Sequence, residues 1–302
     1  MQTAIKPQPK PGNKYIAQKI LVLMAATALA SYIALAPAVA TSMYYRLFLF
    51  FPARYPLGNY DTIKAIAAVP VRDVYFKSKN GSLLHGWYFQ KPGAKYTTLY
   101  HHGNGSNLSV LGVYVELFLR NNCSILIYDY QGYGKSEGEP SLQNVVDDSQ
   151  AAYNYLTGPL AVRPQNIIHC GGSFGTGLAA HLAQLHPGRA IILLTPYAKL
   201  TECARLRLPF LNIYPDFLMP GPDLNTLDCA KQPHPPLFMV HGDDDWIIPV
   251  AQADEIYRTA VQPKEYLRLH NVGHGNFITA EFESKLSNFL DRLKQPQLSP
   301  GL

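Results

Sequence analysis

The sequence predicts an α/β fold: a mostly parallel central sheet with helices on both faces, a short cap, and an apolar helix ahead of the folded body. Three observations carry this expectation. From about residue 71 to 295, short β-branched or aromatic runs alternate with helix-like stretches across short turns, as they do when strand, helix and strand pack in layers. Most of these runs end at Gly or Pro, where buried parallel strands end. Chemistry-bearing residues directly follow several of them, at the C-terminal strand ends where an open α/β sheet gathers its active site.

A chain of 302 residues with 47% hydrophobic content has ample material for one large core. One such domain plus a short appendage is expected. The formal charge of +5 looks basic until it is divided along the chain. Six Lys or Arg and no acid fall in the first 60 residues, and the remaining 20 basic residues face all 21 acids. The folded body is therefore near neutral, which argues against a nucleic-acid surface.

The appendage comes first. No charged residue lies between Ile20 and Tyr45, and the run ILVLMAATALASYIALAPAVA has the length to cross a hydrocarbon core. It has no polar face, unlike a core helix of a soluble domain. Lys6, Lys10, Lys14 and Lys19 precede it, so the positive-inside rule keeps the N-terminus cytoplasmic and sends the body across. Two export readings follow. Ala38-Val39-Ala40 is an A-x-A sequence that signal peptidase can cut after Ala40, releasing the body from the membrane. The long apolar region and the aromatic continuation from Met43 to Pro52 favour an uncleaved anchor. The expected divisions are a basic tail 1–19, a membrane segment 20–45, a linker 46–70, the α/β domain 71–295 with a cap at 197–235, and a tail 296–302.

The body opens with VRDVYFKSK, an Asn80-Gly81 turn and LLHGWYFQK, which reads as a hairpin forming an antiparallel edge. TTLYHHG, SILIYDYQG, NIIHCGG, AIILLTP, PLFMVHG and KEYLRLH follow as strands. Helices are expected near 108–120 and 142–156, after Phe174, from Val250, and at 280–293. From Tyr197 to Pro235 the rhythm breaks into a Pro-rich stretch, read as a small cap. Cys123 and Cys170 adjoin apolar runs and read as buried thiols. Cys203 and Cys229 share the irregular stretch and are free to pair in an oxidising compartment. None of the four has metal-ligand spacing.

Gly171-Gly172-Ser173-Phe174-Gly175 matches G-x-S-x-G between the run NIIHC and the helical stretch GLAAHLAQL. A sharp strand-to-helix turn pushes the serine oxygen into the open, and small neighbours relieve the crowding the turn creates. A serine hydroxyl needs a base, and the base an orienting carboxylate. Asp243-Asp244-Asp245 follows PLFMVHG, and Gly273-His274-Gly275 follows KEYLRLHNV. His274, between two glycines in a loop, does not read as a core residue. The other nine histidines take structural readings, with His241 placed behind the acidic cluster. An oxyanion hole also needs two backbone N–H donors. Phe174 is the expected source of one, and Asn104, in the strand-ending His102-Gly103-Asn104-Gly105, of the other.

Together HHGNGSN, YDYQGYGKSEGEPS, GGSFGTGLA, HGDDDWIIP and VGHGNF resemble the α/β-hydrolase superfamily, most of all its membrane-associated ABHD13/ABHD17/Bem46-like group. The resemblance covers nearly the whole chain. It implies that the acid is the last Asp of HGxxD, which is Asp245 here, and that Asp129 to Gly134 form a supporting loop. It further implies a serine esterase, thioesterase or lipase-like enzyme with the triad Ser173, Asp245 and His274. Such an enzyme needs no metal or organic cofactor and acts on a small-molecule or lipid acyl substrate. Relatives that deacylate protein cysteines often carry an N-terminal cysteine cluster, which this chain lacks before Cys123; that activity is not carried over. A serine aminopeptidase is the rival within the fold, and a non-catalytic binding protein the rival outside enzymes.

Overall fold

The computed structural model describes residues 12–61, 63 and 69–294. Among these the strands are β1 (Phe51–Pro52), β2 (Val71–Lys77), β3 (Leu83–Phe89), β4 (Tyr96–His101), β5 (Gly105–Ser106), β6 (Cys123–Tyr128), β7 (Ile167–Gly172), β8 (Ala190–Leu194), β9 (Leu237–Gly242) and β10 (Lys264–Leu269). β1 and β5 pair in parallel, and the other eight form one sheet in the order β10-β9-β8-β7-β4-β6-β3-β2. Every neighbouring pair in that sheet is parallel except β2 with β3 and β3 with β6. The α/β-hydrolase architecture expected from the sequence is the one observed.

Its edge is the expected hairpin, with Val71 opposite Phe89 and Lys77 opposite Leu83. Gly81 turns between them at a φ of 90°, a region that favours glycine. Edge strand β2 buries only alternate residues, Val74 and Phe76, whereas β4, β6, β7 and β9 are buried along their whole length. A strand covered on both faces is mostly apolar, and that is why these four read as near-continuous runs, interrupted only by buried polar residues such as Thr98, Ser124, His169 and His241.

Period-two geometry sends successive residues to opposite faces. Ile125 and Ile127 pack in one core with the helices Gly112–Arg120 and Ala280–Leu293, through Phe118, Leu286 and Phe289. Leu126 and Tyr128 pack in the other with the helices Leu142–Thr157 and Gly175–Leu185, through Leu156, Leu178 and Leu182. Side-chain caps fix two of these helices. Ser141 accepts from the Asn144 N–H, and Thr279 from that of Phe282.

At the N-terminus the boundaries differ from those expected. The apolar helix runs Asn13–Ala34, taking Lys14 and Lys19 into its first turns and ending well before Tyr45. Pro37 lacks an N–H and disfavours helical backbone just before it, so the helix stops there. Its span Lys14–Ala34 has a mean hydropathy of 1.7 and none of it is buried, so by length and composition it can cross a membrane.

Residues 35–54, the end of the expected membrane segment and the start of the expected linker 46–70, are built into the body. Ala36 and Tyr44 are buried with Leu211, Tyr214 and Met219 of the cap. Ala38 N–H donates to the Leu218 carbonyl, and Tyr32 stacks on Tyr214 at 4.9 Å between ring centroids, a contact of about 0.5–1.5 kcal/mol. Beyond a short helix (Thr41–Tyr44) and a π-helical turn (Tyr45–Leu49), β1 joins β5 and Arg54 bridges Gly134. Lys6, Lys10 and the expected tail 296–302 lie outside the described residues.

The cap is also smaller than 197–235. A bridge between Lys199 and Asn225 closes it, and it holds the helix Leu200–Arg207 and two 3-10 turns. The helix Thr226–Lys231 that follows belongs to the body, burying Leu227 and Ala230 against Ala179 and Ile191. All four cysteines are free thiols, so Cys203 and Cys229 are not joined.

Candidate active site

Ser173 sits between β7 and the helix Gly175–Leu185 with a φ of 52°. Few residues other than glycine adopt this left-handed conformation, and here it is the strained turn that the G-x-S-x-G pattern anticipates. The glycines are required by contact. A Cβ at Gly171 would collide with the Gly175 carbonyl, and one at Gly175 with the His101 carbonyl.

The loop after β9 carries the three aspartates, and their surroundings separate them. Asp245 is buried. Its Oδ1 accepts from the N–H groups of Ile247 and Ile248, both at 2.9 Å. Its Oδ2 lies 2.6 Å from His274 Nδ1 and 3.1 Å from His241 Nε2. Burial pushes this carboxyl's pKa up, but the hydrogen bonds with His241, His274 and Ile248 outweigh it and hold the carboxyl well below the usual carboxylate range. Asp243 turns away to His270 and the Asn271 N–H, and Asp244 is exposed.

His274, in the loop after β10, completes the contact, with its Nε2 3.0 Å from Ser173 Oγ. Three residues from loops 101 and 29 positions apart in sequence thus form one hydrogen-bonded chain. With Nδ1–H donated to Asp245, Nε2 is left as the acceptor for the serine proton.

The loop after β4 lies against the serine. A Cβ at Gly103 would stand 3.7 Å from that of Ser173. Among the described residues, neither the Asn104 N–H nor the Phe174 N–H donates to a protein acceptor, as a pair of oxyanion donors requires. The Asp129 to Gly134 loop braces this region. Tyr130 O–H donates to the His102 carbonyl, and Tyr133 O–H to that of Asn104. Asp129 accepts the Leu108 N–H, and burial pushes its pKa up to about 8 against the lowering effect of that hydrogen bond and of Lys135.

Ser173, Asn104 and Phe174 open onto a pocket of about 450 Å³. Its walls are largely apolar, with Leu47 and Phe48 on one side, Leu208 and Met219 of the cap on another, and Trp246 beside them. Among the lining residues only Arg207 is charged, and it is engaged, donating to the Trp246 carbonyl at 2.7 Å with its guanidinium over the indole. Sequence reasoning missed the wall built by residues 37–51, since its contacts with the cap and with Asn104 span long separations that no local period reveals.

Comparison with known proteins agrees with this architecture. Residues 93–232 match the family model described as serine aminopeptidase, S33. The α/β-hydrolase domain-containing protein 17B of Homo sapiens is 32% identical over 205 residues, covering 68% of this chain and 67% of the relative. A Mycobacterium tuberculosis protein is 28% identical over 233 residues, covering 76% of this chain and 80% of the relative. Among solved structures, a Pyrococcus furiosus esterase superposes with a TM-score of 0.66 at 20% identity, over 81% of this chain and 98% of its own. With fold, strand-end loops and relatives in agreement, the chain belongs to the α/β-hydrolase family that includes the α/β-hydrolase domain-containing 17 proteins.

Proposed function

We propose that this hydrolase is a serine enzyme that transfers acyl groups from carboxylic esters or thioesters to water. The observation that carries the proposal is His274, within hydrogen-bonding distance of both Ser173 Oγ and Asp245 at the edge of an apolar pocket. In the first half-reaction Ser173 Oγ attacks the carbonyl carbon while His274 Nε2 takes its proton. The Asn104 and Phe174 N–H groups hold the oxyanion. Collapse expels the alcohol or thiol, which receives the proton from His274, and leaves an acyl-Ser173 ester. In the second, water loses a proton to His274, attacks the same carbonyl carbon and releases the acid, and the proton returns to Ser173. Asp245 stabilises the imidazolium in both.

The pocket supports an apolar acyl group, since burying each CH₂ contributes about 0.8 kcal/mol. A peptidase reading draws on the name of the matching family model. A free amino terminus would need an acidic partner, and no Asp or Glu is among the pocket-lining residues. Full-length protein should therefore cleave p-nitrophenyl octanoate faster than the acetate and leave alanine naphthylamide untouched. Cleavage of the naphthylamide with the esters left intact would favour the peptidase.

Membrane anchorage is part of the proposal, with the N-terminus cytoplasmic and the body on the other side. Phe210, Ile213 and Phe217 of the cap are exposed, Phe217 by 80%, beside the point where the apolar helix meets the cap. Cutting after Ala40 would remove Ala36, on which Leu211, Tyr214 and Met219 pack. The mature protein should therefore resist extraction by alkaline carbonate. Its intact mass should include residues before Thr41, and a mature chain starting at Thr41 would overturn the anchor while leaving the site untouched.

A further inference from the structure

Both groups assigned to the oxyanion hole are held by one short piece of chain that follows the apolar helix. The Asn104 side-chain amide donates to the Leu49 carbonyl at 2.6 Å, and the Asn104 carbonyl accepts from the Phe51 N–H at 2.9 Å. Between these two contacts lies Phe50, only 2% exposed, whose ring stands edge-on to Phe174 at 5.6 Å and to Tyr45 at 5.4 Å. Phe51 and Pro52 then pair with Gly105 and Ser106, and the Ala53 N–H donates to the Ser106 carbonyl. The loop that carries one donor is thus laced to residues 49–53, and the residue that carries the other packs on Phe50. Just upstream, Tyr45–Leu49 forms a π-helical turn closed by the Phe50 N–H on the Tyr45 carbonyl at 2.8 Å. Such turns are rare and recur at functional sites.

The geometry points to Leu49–Phe51 as the positioning element of the oxyanion hole, with Phe50 as the residue that seats it. This rests on the reading of Ser173, Asn104 and Phe174 given above. Asn104 N–H is useful only while its residue is fixed: Leu49 ties down the Asn104 side chain, and Phe51 ties down the adjoining peptide plane through the Asn104 carbonyl, so the residue is pinned on the side away from the N–H. Phe174 follows the strained Ser173, and Phe50 is the aromatic wedge that limits how far its backbone can shift. The donors act on a charge that develops only in the transition state. Loosening them therefore slows turnover without weakening substrate binding. The segment after the anchor is then part of the catalytic apparatus and not a tether alone.

The test uses full-length protein in detergent micelles with p-nitrophenyl butyrate. Phe50→Ala is expected to lower kcat by about 10- to 100-fold, with KM changed by less than about twofold. An alkyl trifluoromethyl ketone, whose adduct with Ser173 carries an oxyanion, should lose affinity by a similar factor. Phe50→Leu, which refills the space, should recover most of both. Phe51→Pro deletes the N–H to Asn104 at a residue whose side chain is half exposed, and should lower kcat in the same sense even if Phe50→Ala fails to fold. Wild-type kcat and ketone affinity in Phe51→Pro and Phe50→Ala, or losses confined to KM or melting temperature, would overturn the inference. If Ser173→Ala itself retains activity, the underlying site reading has failed instead; if Ser173→Ala is inactive and the Phe50 and Phe51 variants are unchanged, only the positioning role has.

Discussion

Ser173→Ala should lower kcat for ester hydrolysis by on the order of 10⁶-fold, as when a serine protease loses its nucleophile. The loss is chemical. Without Oγ no acyl-enzyme forms, and what remains is water attacking a carbonyl polarised by the Asn104 and Phe174 N–H groups. The fold should survive, because alanine keeps the Cβ and the φ of 52° costs it about what it costs serine. Melting temperature and KM for a short ester should stay near wild type. Ser106 is the fitting control, since it also has a positive φ and lies in the Asn104 loop. Ser136 is a poorer one: its hydroxyl accepts the His85 N–H and donates to the Asp129 carbonyl, so its loss would disturb the brace beneath the site.

Asp245→Asn should cost on the order of 10⁴-fold in kcat through the wrong imidazole tautomer. The backbone dictates why. Oδ1 is committed to the N–H groups of Ile247 and Ile248, so an asparagine keeps its carbonyl oxygen there and turns its NH₂ toward His274 Nδ1. The imidazole must then accept at Nδ1 and carry its proton on Nε2, where it can no longer take the proton of Ser173. Turning the amide over would set its NH₂ against two N–H donors, which is worse. Asp243→Asn and Asp244→Asn should each cost less than about tenfold, in keeping with surface substitutions away from the chemistry. A loss at Asp243 as large as that at Asp245 would mean that the chain from serine to carboxylate runs differently from the one described.

What the sequence made legible follows from where local chemistry meets tertiary structure. Buried parallel strands are apolar along most of their length, so NIIHC and PLFMVHG announced β7 and β9. The chemistry-bearing residues follow such strands directly, and this placed Ser173, Asp245 and His274 in the same region before any geometry was known. The Asn80-Gly81 turn gave away the hairpin for an equally local reason. Residues 36–54 were different. Their apolar and aromatic character suits a membrane as well as the underside of a cap, and only contacts such as Ala38 with Leu218 or Leu49 with Asn104 separate the two. The cap boundary depended on a single bridge, Lys199 with Asn225, which leaves no periodicity in the sequence. His241 was read as a neighbour of the acids, but its place on the same Asp245 oxygen as His274 required the fold of the whole loop.

The most direct measurement of the central claim is peptide mapping by mass spectrometry after full-length protein has reacted with a fluorophosphonate. One phosphonyl adduct is expected, on Ser173, formed at a rate that collapses in Asp245→Asn because His274 can no longer take the proton. No label on Ser173 in folded protein that still hydrolyses esters, or an adduct on another residue that tracks with loss of activity, would contradict the assignment of Ser173 as the nucleophile.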